Sequence, residues 1–301
     1  MTTYPPARPG SELTPGQVHY LLKNPNLVTR RLADLLERKF LVDFLLAGRL
    51  QADGGAVVFE RGYPTVDGAP EVIAAGGEYP LALVKADASY VETKKWGLAS
   101  IVTDEAISRM QIDPVDRALT AIAAEILRTT DAVGLGIITS LVTGSLDVTS
   151  IGAWTAADAI VRGVLTAKAE AEEADEGVNF DAIVLRPRAY AAVMAYLVAG
   201  DIFPREAAGN PLTNGSVPKF LGLDWVSSPY AAADPLLVDR DRLGAVAFEK
   251  LGGGYTTGTA GVEAKTYRNE GTDAWTLQGR RVSAAVVLDP GAGLVLTGTG
   301  L

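Results

Sequence analysis

Apolar residues recur at steps of three and four in three stretches of the chain, and each stretch predicts a helix. From Leu27 to Leu46 the positions Val28, Leu32, Leu35, Leu36, Phe40 and Phe44 form one side, while Arg30, Arg31, Asp34, Glu37 and Arg38 form the other. The spacing predicts one amphipathic helix ending near Gly48. Its second half, FLVDFLL, is apolar nearly all round and needs cover on more than one side; a neighbouring copy and the chain's own domain are both open as its source. A second helix starts at Asp113-Pro114, proline in the first turn and aspartate as its cap. Val115, Leu119, Ile122, Ile126, Val133 and Ile137 line one stripe of it, with Asp116, Arg117, Glu125, Arg128 and Asp131 opposite. Running to about Leu141, it predicts a spine of ~40 Å at ~1.5 Å per residue. The third helix covers Ala156–Asp175, where Thr155 and Asp158 have the spacing of a capping box. A shorter helix opens at Thr103-Asp104-Glu105.

Between the first two helices the period changes to two. Residues 51–101 hold β-type runs at Ala56–Tyr63 and Tyr90–Ile101, separated by the Gly- and Pro-rich PTVDGAPEVIAAGGEYP. Neither face of the second run is uniformly apolar, so the pattern predicts a long two-stranded excursion that needs a partner surface. Further on, AIVLR (182–186) is a buried strand, and Pro187 begins a helix stopping at Gly200. Leu223–Ser227, Leu236–Asp239 and Leu243–Lys250 are further strands, making 150–246 a mixed α/β unit. The chain closes on strands Val262–Tyr267, Ala274–Leu288 and Leu294–Thr297 after the hinge-like Gly252-Gly253-Gly254. Residues 1–26, rich in Pro, Gly and polar side chains, are expected to be an extended arm.

Composition narrows the chemistry. With 301 residues, 48% hydrophobic and 21% charged, the chain can bury a core. No run of some 18 apolar residues crosses it, so no membrane segment is expected. It has no cysteine, which excludes disulfides, thiolate metal sites and thiol nucleophiles. Its one histidine, His19, lies in the polar leader and is expected to be solvated. No metal or cofactor is expected: the acidic AEAEEADEG is a solvated helix end, and Gly134-Leu135-Gly136 sits inside a helix and cannot cradle a phosphate. Lys94-Lys95 and Arg280-Arg281 are short basic pairs, expected to be solvated or interfacial. A net charge of −9 argues against a general grip on a phosphate backbone. An enzyme would have to work with carboxylates alone, for which Glu60, Glu78 and Glu92 are the candidates.

The order of parts is arm, ribbon, spine helix, inserted α/β unit and β return. It resembles the major capsid proteins of tailed bacteriophages, the Hong Kong 97-type fold also found in encapsulins. Local strings similar to members from phages of actinobacteria are Glu78-Tyr79-Pro80, Lys95-Trp96-Gly97, Thr103-Asp104-Glu105-Ala106-Ile107, Asp113 to Asp131, AIVLRPRAYAAVMAY, and AGNPLTNG followed by FLGLDWVSSP. The resemblance spans about 27–290 and implies an α+β fold: N-terminal arm and helix in 1–50, extended loop in 51–101, peripheral domain in 102–149 and 247–301, and axial domain in 150–246. It implies no enzyme but a self-assembling shell subunit, forming hexamers and pentamers around phage double-stranded DNA that it encloses without specific binding. A portal protein at one vertex, a scaffolding protein and a decoration or minor capsid protein would be its other partners, and the virion, assembled in the host bacterial cytoplasm, its location. Contacts between copies are expected from Tyr63, Tyr79, Lys94, Lys95 and Trp96 in the extended loop and from Phe40 and Phe44 in the arm. A cleaved leader is not expected, nor is a lysine–asparagine cross-link at Lys85, Lys94 or Lys95. An encapsulin-type compartment shell is the alternative.

Overall fold

The computed structural model describes residues 15–36, 40–66, 69–73, 75–109, 114–174, 177–200, 219–258 and 261–301. The expected loop with Asn210-Pro211 and Asn214-Gly215, and the cap Asp113, lie outside the described residues, as do positions 1–14.

The leader is not wholly extended: Pro15–Lys23 is a helix, α1. Val18, Leu21 and Leu22 supply a short buried stripe, hidden at the sequence level by the polar and Pro/Gly-rich composition around it. The single helix expected over Leu27–Leu46 is two: α2 (Pro25–Leu36) and α3 (Leu41–Leu45), with Phe40 extended at φ −72° between them. The break has a cause on the spine. The Asp131 carboxylate accepts the N–H of Leu41 at 3.3 Å and of Val42 at 3.2 Å, capping a new helix start. Asp131, expected on the solvent side, is therefore buried.

The spine is α5 (Pro114–Leu141), 28 residues, preceded by α4 (Asp104–Arg109), whose first turn is capped by Thr103 Oγ1 accepting from Ala106 N–H. Val115, Leu119, Ile122 and Ile126 are buried as expected, but further along Leu135 and Ile138 replace Val133 and Ile137 as the deepest residues. The buried side of the helix thus passes from the cluster around Trp275 and Leu277 to one shared by both sheets.

Two sheets follow. The larger has the order β1 (Gly48–Gln51), β9 (Gly244–Phe248), β12 (Ala274–Val287), β11 (Val262–Asn269), β10 (Thr256–Thr257), with β4 (Lys94–Thr103) on the opposite side of β12. The smaller is β5 (Gly144–Asp147), β13 (Gly293–Thr297), β8 (Leu236–Val238), β6 (Ala182–Leu185) and β7 (Asp224–Ser227), flanked by α6 (Ala157–Glu173) and α7 (Pro187–Ala199). The smaller sheet therefore takes two strands from outside 150–246, while Gly244–Phe248 belongs to the larger one. Short all-apolar runs carry no information about which strand they pair with. The Thr155–Asp158 capping box does not form: Ala156 occupies the cap, and Thr155 Oγ1 donates to Ala153 O.

Helices α2 and α5 cover one face of β12, where Trp275, Leu277 and Gly279 point. Gly279 has no side chain because a Cβ there would sit 2.6 Å from Ile122 Cγ2. Gly279→Ala is expected to cost about 1–3 kcal/mol by overpacking, read as a lower denaturant midpoint at unchanged slope.

Arg280 and Arg281 are both buried rather than solvated. Arg281 is 0% exposed, donates to Asp43 Oδ1 at 2.5 Å and stacks 3.8 Å from the centre of Phe40. This packing supplies from within the chain the cover that FLVDFLL required. Desolvation pushes the Asp131 carboxyl above its ordinary value, against the two amides and nearby Arg281, which pull it down. The folded chain therefore holds that proton more tightly than the unfolded one, so the penalty is full above the raised value, fades as pH falls from there toward the ordinary carboxylate value, and is gone below it. Asp131→Asn cannot ionise; wild type is expected to gain stability relative to it as pH drops from about 7 to about 4, measured by urea denaturation.

Candidate assembly surface

The period-two segment forms a hairpin of β2 (Ala56–Val66) and β3 (Val84–Glu92), shorter than the 51–101 expected from the sequence. One residue, Thr93, separates β3 from β4; its hydroxyl donates to Glu249 Oε2 at 2.5 Å. Beyond that anchor Lys94–Thr103 pairs with β12 along Lys94↔Ser283 to Thr103↔Ala274. From Lys94 on, the second β run is thus body sheet rather than ribbon, because its partner is β12, and local alternation cannot distinguish the two.

At its root the ribbon is amphipathic. Val57 and Phe59 are buried against Ala52, Ala247 and Val286, with Val91 half-buried beside them. On the other face Val58 and Tyr90, directly paired across the hairpin, are exposed. Past Gly62, whose N–H donates to Leu288 O at 2.7 Å, the ribbon leaves the body. Val72, Tyr79, Leu81, Leu83 and Val84 are exposed, Tyr79 at 83%. Burying one such side chain fully is worth about 1.5–3 kcal/mol, so this cluster is a concentrated apolar surface with no cover among the described residues. The ribbon is also acidic: residues 56–92 hold six carboxylates against Arg61 and Lys85.

Of the residues expected to contact other copies, Tyr79 lies on the connection between the ribbon strands. Tyr63 has its backbone in β2, but its side chain lies outside the described residues. Lys94, Lys95 and Trp96 are not on the ribbon; they begin β4, opposite Ser283, Val282 and Arg281. Phe40 is buried under Arg281 in its own chain, whereas Phe44 is partly exposed under Arg240, 4.3 Å from the ring centre. Phe44 helps line a groove of about 660 Å³ with Leu41, Leu127, Pro229 and Tyr230. Glu60, Glu78 and Glu92 are all exposed. Among the described residues no group of three or more His, Asp or Glu could hold a metal ion, and no helix is long and apolar enough to cross a membrane.

Sequence reasoning missed the open face of the larger sheet. Neighbours across β4, β12 and β11 place Lys95, Ala99, Ile101, Gln278, Arg280, Lys265 and Tyr267 on the side away from α5. Alternation in β4 carried a trace of it, since Ile101 is an apolar residue out of phase with the buried Val102.

A family model described as phage capsid protein matches residues 85–296. Among solved structures, the capsid of the cyanophage P-SCSP1u aligns with a TM-score of 0.61 at 12% identity, covering 84% of this chain and 86% of that one. A virus-like particle from Pyrococcus furiosus gives 0.58 at 12%, covering 90% and 98%. A chain of the Microbacterium phage Oxtober96 gives 0.55 at 13%, covering 86% and 90%. No curated protein sequence matches the chain.

Proposed function

Because the chain belongs to the phage capsid protein family and is a structural subunit of a phage capsid shell, we propose that its copies close into rings of six and five that tile an icosahedral head. The observation that carries this reading is the ribbon: an acidic two-stranded excursion whose apolar residues Val72, Tyr79, Leu81 and Leu83 are exposed within one chain. A hairpin of this kind is marginal in water by itself and is stabilised by lying on another copy. The axial unit, centred on the five-stranded sheet, meets its equivalents at the ring centre, and the ribbon crosses onto the peripheral domain of the adjacent copy.

The shell encloses double-stranded DNA without gripping it, which the net charge of −9 supports. A portal at one vertex, a scaffolding protein and a decoration or minor capsid protein complete the particle, which is assembled in the host bacterial cytoplasm. The protein is not an enzyme; Glu60, Glu78 and Glu92 serve as ribbon surface, as their exposure supports. The family match favours a phage shell over the protein-filled compartment, which shares the fold.

The test is negative-stain electron microscopy of the purified full-length chain. Closed particles of one or a few discrete diameters are expected, whereas a uniform population of small oligomers at every concentration and salt would refute the shell.

A further inference from the structure

The ladder between β4 and β12 ends at Lys94↔Ser283, and past Ser283 that edge of β12 has no strand beside it among the described residues, since β3 pairs with β2 instead. The spine still passes over the gap, with Thr130, Val133, Gly134 and Ile137 along it. Three consecutive small residues, Ser283-Ala284-Ala285, stand there between Val282 and Val286, so side chains do not fill it either. What remains is a cavity of about 410 Å³, walled by the spine, by β12 and by the ribbon root. It lies within one chain and needs no second copy to complete it.

The lining is graded from apolar to charged. At the floor Val42, Val246 and Ala285 are buried, and so is Thr130, 8% exposed, whose hydroxyl has no hydrogen-bond partner. Half-buried Val133, Ile137 and Trp96 form the walls. At the mouth Glu92 and Lys94 are exposed on either side of Thr93, and neither is in an ion pair among the described residues. Thr93 donates its hydroxyl to Glu249, which ties this stretch to the body. A buried hydroxyl without a partner is uncommon, and the volume falls at the lower end of the range of about 300–1,000 Å³ in which proteins hold small molecules. Each part selects one piece of a ligand. A cation and a carboxylate side by side suit a zwitterion, the walls suit one ring, and the floor hydroxyl suits a polar tip at the far end of that ring. A single cation is too few for a polyphosphate.

We infer that this cavity binds a free aromatic α-amino acid, its carboxylate at Lys94, its ammonium at Glu92, its ring against Trp96 and Val133, and a para hydroxyl reaching Thr130. Tyrosine satisfies the full set, and phenylalanine all but the last contact. Because Glu92 and Lys94 are exposed, each charge contributes only about two- to fivefold in affinity. The hydroxyl contributes about three- to tenfold. The occupant touches spine, sheet and ribbon root together, so its binding also holds the root in one position against the body.

Calorimetric titration of the dilute full-length chain with four probes tests each contact. L-tyrosine is expected to bind saturably, one molecule per chain, and L-phenylalanine about three- to tenfold more weakly. Tyramine, which lacks the carboxylate, and para-hydroxyphenylpropionate, which lacks the ammonium, are expected to bind about two- to fivefold more weakly than tyrosine. In Lys94→Gln, tyrosine should fall to the level of tyramine while tyramine itself is unchanged; in Glu92→Gln, the same relation should hold between tyrosine and para-hydroxyphenylpropionate. Both side chains are exposed, so neither substitution threatens the fold. In Thr130→Val the preference for tyrosine over phenylalanine should vanish. Saturating tyrosine should also slow amide exchange in the peptide 90–96 and leave that of α6, 157–173, unchanged. Absence of saturable binding by both amino acids up to their solubility would overturn the assignment. So would wild-type tyrosine affinity in Lys94→Gln and Thr130→Val, which would place the ligand elsewhere.

Discussion

A variant in which residues 62–86 are replaced by an Asn-Gly turn is expected to fold, remain soluble and form no closed particle. The excision leaves the six paired positions from Ala56↔Glu92 to Arg61↔Asp87, and with them the root contacts of Val57 and Phe59 against Ala247 and Val286. Among the described side chains none that is removed is buried, only the Gly62 N–H bond to Leu288 O is lost to the body, and two-residue Asn-Gly connections suit a hairpin. The thermal midpoint should therefore move by no more than a few degrees, since surface changes are usually worth under about 0.5 kcal/mol. Association is affected far more. Losing the contact of even two of Val72, Tyr79, Leu81 and Leu83 removes about 3–6 kcal/mol per interface, and ~1.4 kcal/mol is already tenfold in affinity. Light scattering should show only small species at concentrations where wild type is wholly particulate. Normal shells from this variant would mean that the ribbon does not join copies.

Arg281→Ala is expected to destabilise the subunit itself, by about 3–5 kcal/mol, because it empties a fully buried site and leaves the partly buried Asp43 carboxylate without its partner. Arg281 holds Asp43 at 2.5 Å and is sandwiched between Phe40 at 3.8 Å and Phe248 at 5.2 Å. It ties α3 to β12, while Asp131 on the spine caps the same short helix. Burial also disfavours the charged guanidinium: desolvation pushes it below its ordinary value, against the pull of Asp43 and Asp131. Its Nε and Nη1 have no hydrogen-bond partner among the described residues. An apolar replacement of both members is therefore less damaging than removal of one. Arg281→Met with Asp43→Leu should recover a large part of the loss, a non-additivity that a double-mutant cycle of denaturation free energies would measure. Equal stability of wild type and Arg281→Ala would show that this cluster does not anchor α3.

How much of this was legible beforehand depended on whether the deciding partner was local. The spine, the strand-to-helix step at Pro187 and the long strand Ala274–Val287 were readable because periodicity and caps are local properties. The break at Phe40 was not, because the group that causes it, Asp131, is ninety residues away and looks like one more solvent-facing acid on a helical wheel. The burial of Arg280 and Arg281 was missed for the same reason: basic pairs default to solvent unless Glu263 and Asp43 are known to face them. Lys95 and Trp96 were assigned to the ribbon because β3 and β4 are nearly continuous, and only the register with β12 separates them. The candidate surface was half legible. A Gly- and Pro-rich apolar connection announced the projecting ribbon, but the helix-free face of the larger sheet is assembled from three strands distant in sequence.

The most direct measurement is amide hydrogen exchange on intact particles against subunits held apart at low concentration. Peptides spanning 69–92 and 95–101 should exchange rapidly in the separated subunit and become strongly protected in the particle, while the spine peptide 114–141 changes little. Equal exchange of the ribbon in both states would mean that neighbouring copies do not cover it, and would contradict the account.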